Sequence, residues 1–132
     1  MITFVDTNVL LDVFLPDPEF GEQSAEHLEQ SFSEGSLVIN EVIYAELAPQ
    51  FSTRLLLDKT LTKLGIRIIS IDTETAYSAG IAWQQYRKAG GKRERILSDF
   101  LIGAHALTHA DRLLTRDRGF YKKYFKNLKV IY

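Results

Sequence analysis

The sequence predicts an α/β fold, a three-layer α/β/α sandwich around a central, mostly parallel sheet. Two observations predict it. Short apolar, β-prone runs recur along the chain, and segments with helical periodicity separate them. The strand-like runs are apolar throughout rather than alternating, as in strands buried on both faces of a parallel sheet.

The chain opens with Ile2-Thr3-Phe4-Val5, a short β-prone run ending at Asp6. Val9-Leu10-Leu11 follows Asn8, and Pro16 and Pro18 break the chain after it. Residues 19–34 read as an amphipathic helix, with Phe20, Ala25, Leu28 and Phe32 apolar and Gly35 closing it. Leu37-Val38-Ile39 is a buried-type strand, and Asn40 is a good N-cap for the next helix. That helix carries Val42, Ile43, Ala45, Glu46 and Leu47, and Pro49 stops it. Another helix spans about 53–64 and ends at Gly65, and residues 66–71 form a third strand. Asp72 caps a long helix over about 73–89. After the loop Gly90 to Arg95, Ser98 is placed to cap a helix from Asp99 to about His109. Leu113-Leu114-Thr115 is a fourth strand, a short helix lies around 121–125, and Lys129-Val130-Ile131 is a final edge strand.

Length and composition suit this picture. The 132 residues fit a single domain over 1–132, with 45% hydrophobic and 25% charged residues. No repeat or low-complexity tract suggests a boundary. No run is apolar enough to span a bilayer, and Asp6 and Asp12 interrupt the N-terminal apolar stretch where a signal peptide would need continuity. With no cysteine, disulfides and thiolate metal sites are excluded. A cytoplasmic enzyme or binding protein is the expectation. The formal net charge of −1 weighs against a structural nucleic-acid binder that holds by bulk electrostatics. It weighs less against a nuclease, whose acidic site offsets basic surface elsewhere.

The acids carry the chemistry. Asp6 and Asp117 each lie at or just past the C-terminal end of a predicted strand, the edge at which open parallel sheets bind ligands. Glu46 and Asp99 lie in helices expected near the same edge, and Asp99 opens its helix, at the positive end of the dipole. Taken singly, an acid after a strand or early in a helix is more often a cap than a catalyst. Glu46 fits that plain reading least, since it sits between Ala45 and Leu47 beside an apolar face. Four converging carboxylates repel one another and call for a cation, and an all-oxygen donor set favours Mg²⁺ or Mn²⁺ over zinc. Such an ion lowers the pKa of bound water and stabilises charge on a phosphate, so in-line phosphodiester hydrolysis is the implied reaction.

Four blocks give the acids a context. They are Phe4-Val5-Asp6-Thr7-Asn8-Val9-Leu10, residues 40–47 (Asn40 to Leu47), residues 95–106 around Ser98-Asp99-Phe100, and Leu114-Thr115-Arg116-Asp117-Arg118-Gly119-Phe120. In this order and spacing, over essentially the whole chain, they resemble the PIN-domain family, and most closely its VapC-type toxins of toxin–antitoxin pairs. The resemblance implies a Mg²⁺-dependent endoribonuclease. Asp6 and Asp99 are the expected direct ligands, and Glu46 and Asp117 complete the catalytic and metal set. Asn8 and Thr115 would support it, Asn8 holding Asp6 and Thr115 bonding to the site. The resemblance also implies an RNA substrate, a homodimer and a cognate antitoxin that fills the acidic groove.

Other features are weighed against this reading. His105 and His109 have the i, i+4 spacing of a zinc pair but lie about 80–120° round the helix from Asp99, so a solvent-facing or locally bonded pair is expected. Arg93, Arg95, Arg116 and Arg118 are placed either to contact phosphates or to stay solvated. Tyr121, Tyr124, Phe125, Trp83 and Tyr86 fit packing at helical spacing better than base stacking. A haloacid-dehalogenase-type phosphatase would need Asp where this chain has Asn8. The remaining alternative is a catalytically silent PIN-like scaffold that binds RNA or protein, which would have no need to keep four acids.

Overall fold

Five strands form one sheet: β1 (Ile2–Val5), β2 (Ser36–Ile39), β3 (Ile66–Ile68), β4 (Arg112–Leu114) and β5 (Val130–Ile131). The structure is a computed structural model that describes residues 1–91 and 96–132. The strand order is β3-β2-β1-β4-β5, and every pairing is parallel. The predicted three-layer α/β/α class is therefore the observed one, with the sheet fully rather than mostly parallel. Phe4 pairs with Val38 on one side and Leu113 on the other, so β1 is the centre of the core. Phe4, Val5, Ile39, Leu113 and Leu114 are wholly buried, as both-sided coverage by helices requires.

Among the described residues, seven α-helices connect the strands: α1 (Thr7–Phe14), α2 (Gly21–Glu34), α3 (Glu41–Leu47), α4 (Arg54–Lys63), α5 (Thr73–Lys88), α6 (Leu97–His109) and α7 (Arg118–Tyr124). From β1 the chain steps outward through β2 to β3, then returns to the opposite side of β1 for β4 and β5. Right-handed crossovers put α1 to α4 on one face and α5 to α7 on the other. The order reverses between β1 and β4, so the crevice at their carboxyl ends is the topological switch point where such sheets bind ligands.

Two caps match the sequence expectations: Asn40 and Asp72 accept from the backbone N–H of Ile43 and Thr75. Thr53, read as the start of its helix, caps α4 by accepting from Leu56 N–H. Other boundaries move for local reasons. The Asp17 side chain accepts from the Glu19 and Phe20 N–H groups at 2.8 Å, and this turn delays α2 to Gly21. Helix α1 has no counterpart among the predicted elements; Asp6 caps it by accepting from Thr7 N–H at 2.7 Å. Ser98 is not a cap. Helix α6 begins two residues earlier than expected, at Leu97, so Asp99 is its third residue rather than its first, with its carboxylate accepting from Ile96 N–H at 3.2 Å.

On the α5–α7 face, Tyr86, Phe100, Phe120, Tyr124 and Phe125 pack ring against ring. Gly103 on α6 makes this possible, because a Cβ there would lie 2.4 Å from the Phe125 ring. Gly103→Ala is expected to destabilise the protein by about 1–3 kcal/mol, the usual cost of overpacking a core. A urea-unfolding midpoint lowered at unchanged slope checks it.

Candidate active site

Each sequence-singled acid has a defined place around the switch point. Asp6 follows β1 directly, and its N–H donates to Leu114 O at 2.9 Å, the last rung between β1 and β4. Its side chain is buried, at 5% exposure. Thr115, just past β4, donates its hydroxyl to Asp6 Oδ2 at 2.8 Å and accepts from Asp117 N–H at 3.0 Å. Asn8 Nδ2 reaches the same Thr115 oxygen at 3.3 Å and Asp6 Oδ2 at a long 3.4 Å, while its Oδ1 accepts from Arg116 N–H. One hydroxyl thus joins the ends of β1 and β4, with its donor and both lone pairs engaged.

Glu46, on α3, is exposed rather than set against the apolar face, and accepts from the Thr7 hydroxyl at 2.6 Å. Asp99 and Asp117 are half-buried, Asp117 as the residue before α7. Charge links the acids in two steps: Glu46 acts on Asp6, and Asp6, Asp99 and Asp117 act on the Tyr121 phenol. Burial, reinforced by the negative charge of Glu46, lifts the Asp6 carboxyl to a pKa of about 6 against hydrogen bonds from Thr115, Thr7 and Tyr121 that favour its ionised form. Burial also drives the Tyr121 phenol far up, and the charges of Asp6, Asp99 and Asp117 push it further.

Tyr121 and Thr7 are the residues that sequence reasoning does not place at the site. Tyr121 packs as its periodicity requires, at 1% exposure, yet its phenol also acts on the Asp6 carboxyl. Thr7 adjoins Asp6 in sequence, and that adjacency was the available signal.

Outside the acids, two further contacts set the frame. Arg116 is committed to structure. Its Nε and Nη2 grip the buried Asp12 at 2.7 and 2.9 Å, and its guanidinium lies 4.1 Å from the Phe20 ring centre. Ser24 donates to the same Asp12 at 2.6 Å. The phosphate-contact reading of Arg116 is therefore replaced by an ion pair that fastens the Thr115–Asp117 turn to α1. Arg118 is exposed, and Arg93 and Arg95 lie outside the described residues. His105 is buried rather than solvent-facing. Asn40 Oδ1 is taken by Ile43 N–H, so its amide N–H donates to His105 Nδ1 at 3.0 Å and ties α3 to α6. Burial lowers the His105 pKa, in keeping with a neutral ring. His109 bonds instead to Asp72 at 2.6 Å, so the two histidines do not form a zinc pair.

Among the described residues, no three His, Asp or Glu side chains already converge as a closed metal cage. The donor chemistry nevertheless fits a hard divalent cation. The candidate ligands are all carboxylates, burial disfavours the ionised form of the buried one, and Mg²⁺ is commonly held by one or two carboxylates with water completing its shell.

The PIN domain family model matches residues 3–126. The chain belongs to the PIN domain family. Solved structures share the fold of this PIN domain. VapBC2 of Rickettsia felis, bound to a DNA fragment from its promoter, is 20% identical with a TM-score of 0.74, over 99% of this chain and 98% of that one. FitAcB of Neisseria gonorrhoeae is 24% identical with a TM-score of 0.72, over 100% and 97%. A toxin–antitoxin complex from Klebsiella pneumoniae is 22% identical with a TM-score of 0.67, over 98% and 96%. No curated protein sequence matches the chain. Among the described residues, no helix of this PIN domain is long and apolar enough to cross a membrane.

Thr115→Val is expected to strand the Asp117 N–H and to remove the Asp6 donor, costing about 1–3 kcal/mol and most of any activity. Thr115→Ser keeps both bonds and should stay near wild type in unfolding midpoint and turnover.

Proposed function

We propose that this PIN domain is a Mg²⁺- or Mn²⁺-dependent endoribonuclease, the toxin of a type II toxin–antitoxin pair. The observation that carries the reading is the Thr115 hydroxyl that joins Asp6 to the Asp117 backbone at the switch point, with Glu46 bonded to Thr7 beside Asp6. In this reading residues 1–132 act as one cytoplasmic nuclease domain, RNA is the substrate, and a homodimer associates with a cognate antitoxin. The toxin–antitoxin assignment is supported by the complexes that share the fold.

Asp6 and Asp99 would hold the cation, with Glu46 and Asp117 completing the acidic set. The ion would supply charge neutralisation at the phosphate and a lowered pKa for attacking water. The protein's own groups prepare the rest. Thr115, Thr7 N–H and Tyr121 fix the Asp6 carboxylate in one rotamer, and the Thr7 hydroxyl aims Glu46. The carboxylates accept the proton of the attacking water, one P–O ester bond breaks in line, and the departing oxygen is protonated from solvent. Because these groups are positioned before substrate arrives, little reorganisation is needed during the reaction.

The test is incubation of the purified chain with total cellular RNA, with Mg²⁺, with Mn²⁺ and with a chelator. Cleavage that requires the divalent ion is the expected result. Intact RNA in every lane, from a folded chain free of antitoxin, would instead select the silent-scaffold reading.

A further inference from the structure

Two segments of this chain are rich in basic residues, 87–95 and 116–132. Residues 116–132 contain six of the 16 Lys and Arg but one of the 17 Asp and Glu, so this segment carries +5 and the rest −6. Two of the six are engaged, Arg116 by Asp12 and Lys129 by the charge of Glu34. Arg118, Lys122, Lys123 and Lys126 are exposed, and none has an ion-pair partner among the described residues.

Helix α7 arranges Arg118, Lys122 and Lys123 on one side, and Lys126 follows just past its C-terminal end. At about 100° per residue, Arg118, Lys122, Gly119 and Lys123 fill an outward sector of about 140°, while Phe120, Tyr124 and Tyr121 face inward. On that wheel Arg118 lies about 60° from Tyr121, whose hydroxyl meets the acids. Gly119 sits inside the basic sector, a Cβ there would touch nothing within 4 Å, and it has no positive φ. Neither packing nor backbone geometry accounts for a glycine at this helical position. Its effect is to leave the helix backbone open between the lysines.

A solvated charged face is the ordinary outcome for lysines on a short helix. Here the face begins at the residue after Asp117, in a segment that carries +5, and it supplies the attraction for phosphates that the acids oppose. We propose that Arg118, Lys122, Lys123 and Lys126 form a phosphate track that delivers single-stranded RNA to the acidic centre, with Gly119 admitting the strand close to α7. The track reads backbone charge, so it does not select sequence. This inference rests on the nuclease reading for what the strand is delivered to.

The test measures binding of fluorescein-labelled oligouridine and oligoadenosine by anisotropy, over about 50–200 mM salt, in an Asp99→Asn background that does not consume the probe. The variant Lys122→Gln/Lys123→Gln/Lys126→Gln should bind both at least about ten-fold more weakly. Its log–log salt slope should flatten by about 2, near 0.7 per lost phosphate contact. Gly119→Glu, which meets no clash, should weaken binding while melting as wild type does, and Lys59→Gln/Lys63→Gln on α4 should leave it unchanged. With Asp99 restored, the triple variant should raise KM and leave kcat near wild type. Unchanged affinity and slope in the triple variant overturn the track, including the case where an acidic peptide competes for this face and RNA does not. Cleavage by the wild type is read separately. Loss of the track with intact metal-dependent cutting leaves the nuclease reading standing, whereas charge-dependent binding without any cutting does the reverse.

Discussion

Asp6→Asn should abolish cleavage and, in the same molecule, make the metal-free fold more stable. The activity loss is expected to be at least about 10²–10³-fold, the scale of removing one group that stabilises transition-state charge. The stability gain follows from the pKa of about 6, raised from 3.8 first by burial and then by Glu46. A carboxyl whose pKa rises on folding contributes stability that is fully present below the unfolded value and is lost as pH rises through the folded value. For Asp6 that window runs from 3.8 to about 6, so at pH 7 the penalty is complete. Two units correspond to about 3 kcal/mol, and Asn forgoes some of the hydrogen bonds, leaving a net gain of roughly 1–3 kcal/mol at pH 7. The gain should vanish as pH falls to 4. Chelator-treated unfolding curves of both proteins at pH 4 and pH 7 measure it. His105 works in the opposite sense, since its lowered pKa removes stability as pH falls below 6.5. The variant should therefore lose stability on acidification more steeply than wild type.

Arg116→Ala should be the most damaging change that touches none of the four acids. It leaves Asp12, 4% exposed at the side chain, with Ser24 as its remaining hydroxyl donor, and it frees the turn that presents Thr115 and Asp117. Breaking a buried pair costs about 3–5 kcal/mol, and the 29% exposure of Arg116 brings the expectation to about 2–4 kcal/mol. Turnover should fall with it even where the fold persists, at low temperature, because the turn is no longer held. Arg116→Lys restores the charge but not the two-pronged grip, and an intermediate loss in both readouts is expected. Unfolding midpoints set beside turnover at one low temperature separate the two effects.

Most of the fold was legible where local chemistry and tertiary need agreed. The apolar runs of β1, β2 and β4, and the caps Asn40 and Asp72, each carry their own signal in a few residues. Helix α1 was not legible, because Val9-Leu10-Leu11 is a short apolar run that fits a buried strand as well as a helix. Its start is fixed by Asp6, a residue that also reads as the end of a strand. The acids could be singled out because their types and spacing are local facts. What surrounds them is not local. The Asp12–Arg116 and Asn40–His105 contacts span 104 and 65 positions. Periodicity assigned Tyr121 to the core without revealing where its hydroxyl points.

Single-turnover cleavage of one mapped RNA by Asp6→Asn, Glu46→Gln, Asp99→Asn and Asp117→Asn, alone and in pairs, tests most directly whether these acids act as one centre. The prediction is a large loss in each single variant and almost no further loss in the pairs, the non-additivity of groups that act as a unit. Losses that multiply independently, or wild-type turnover in any one variant, would contradict it.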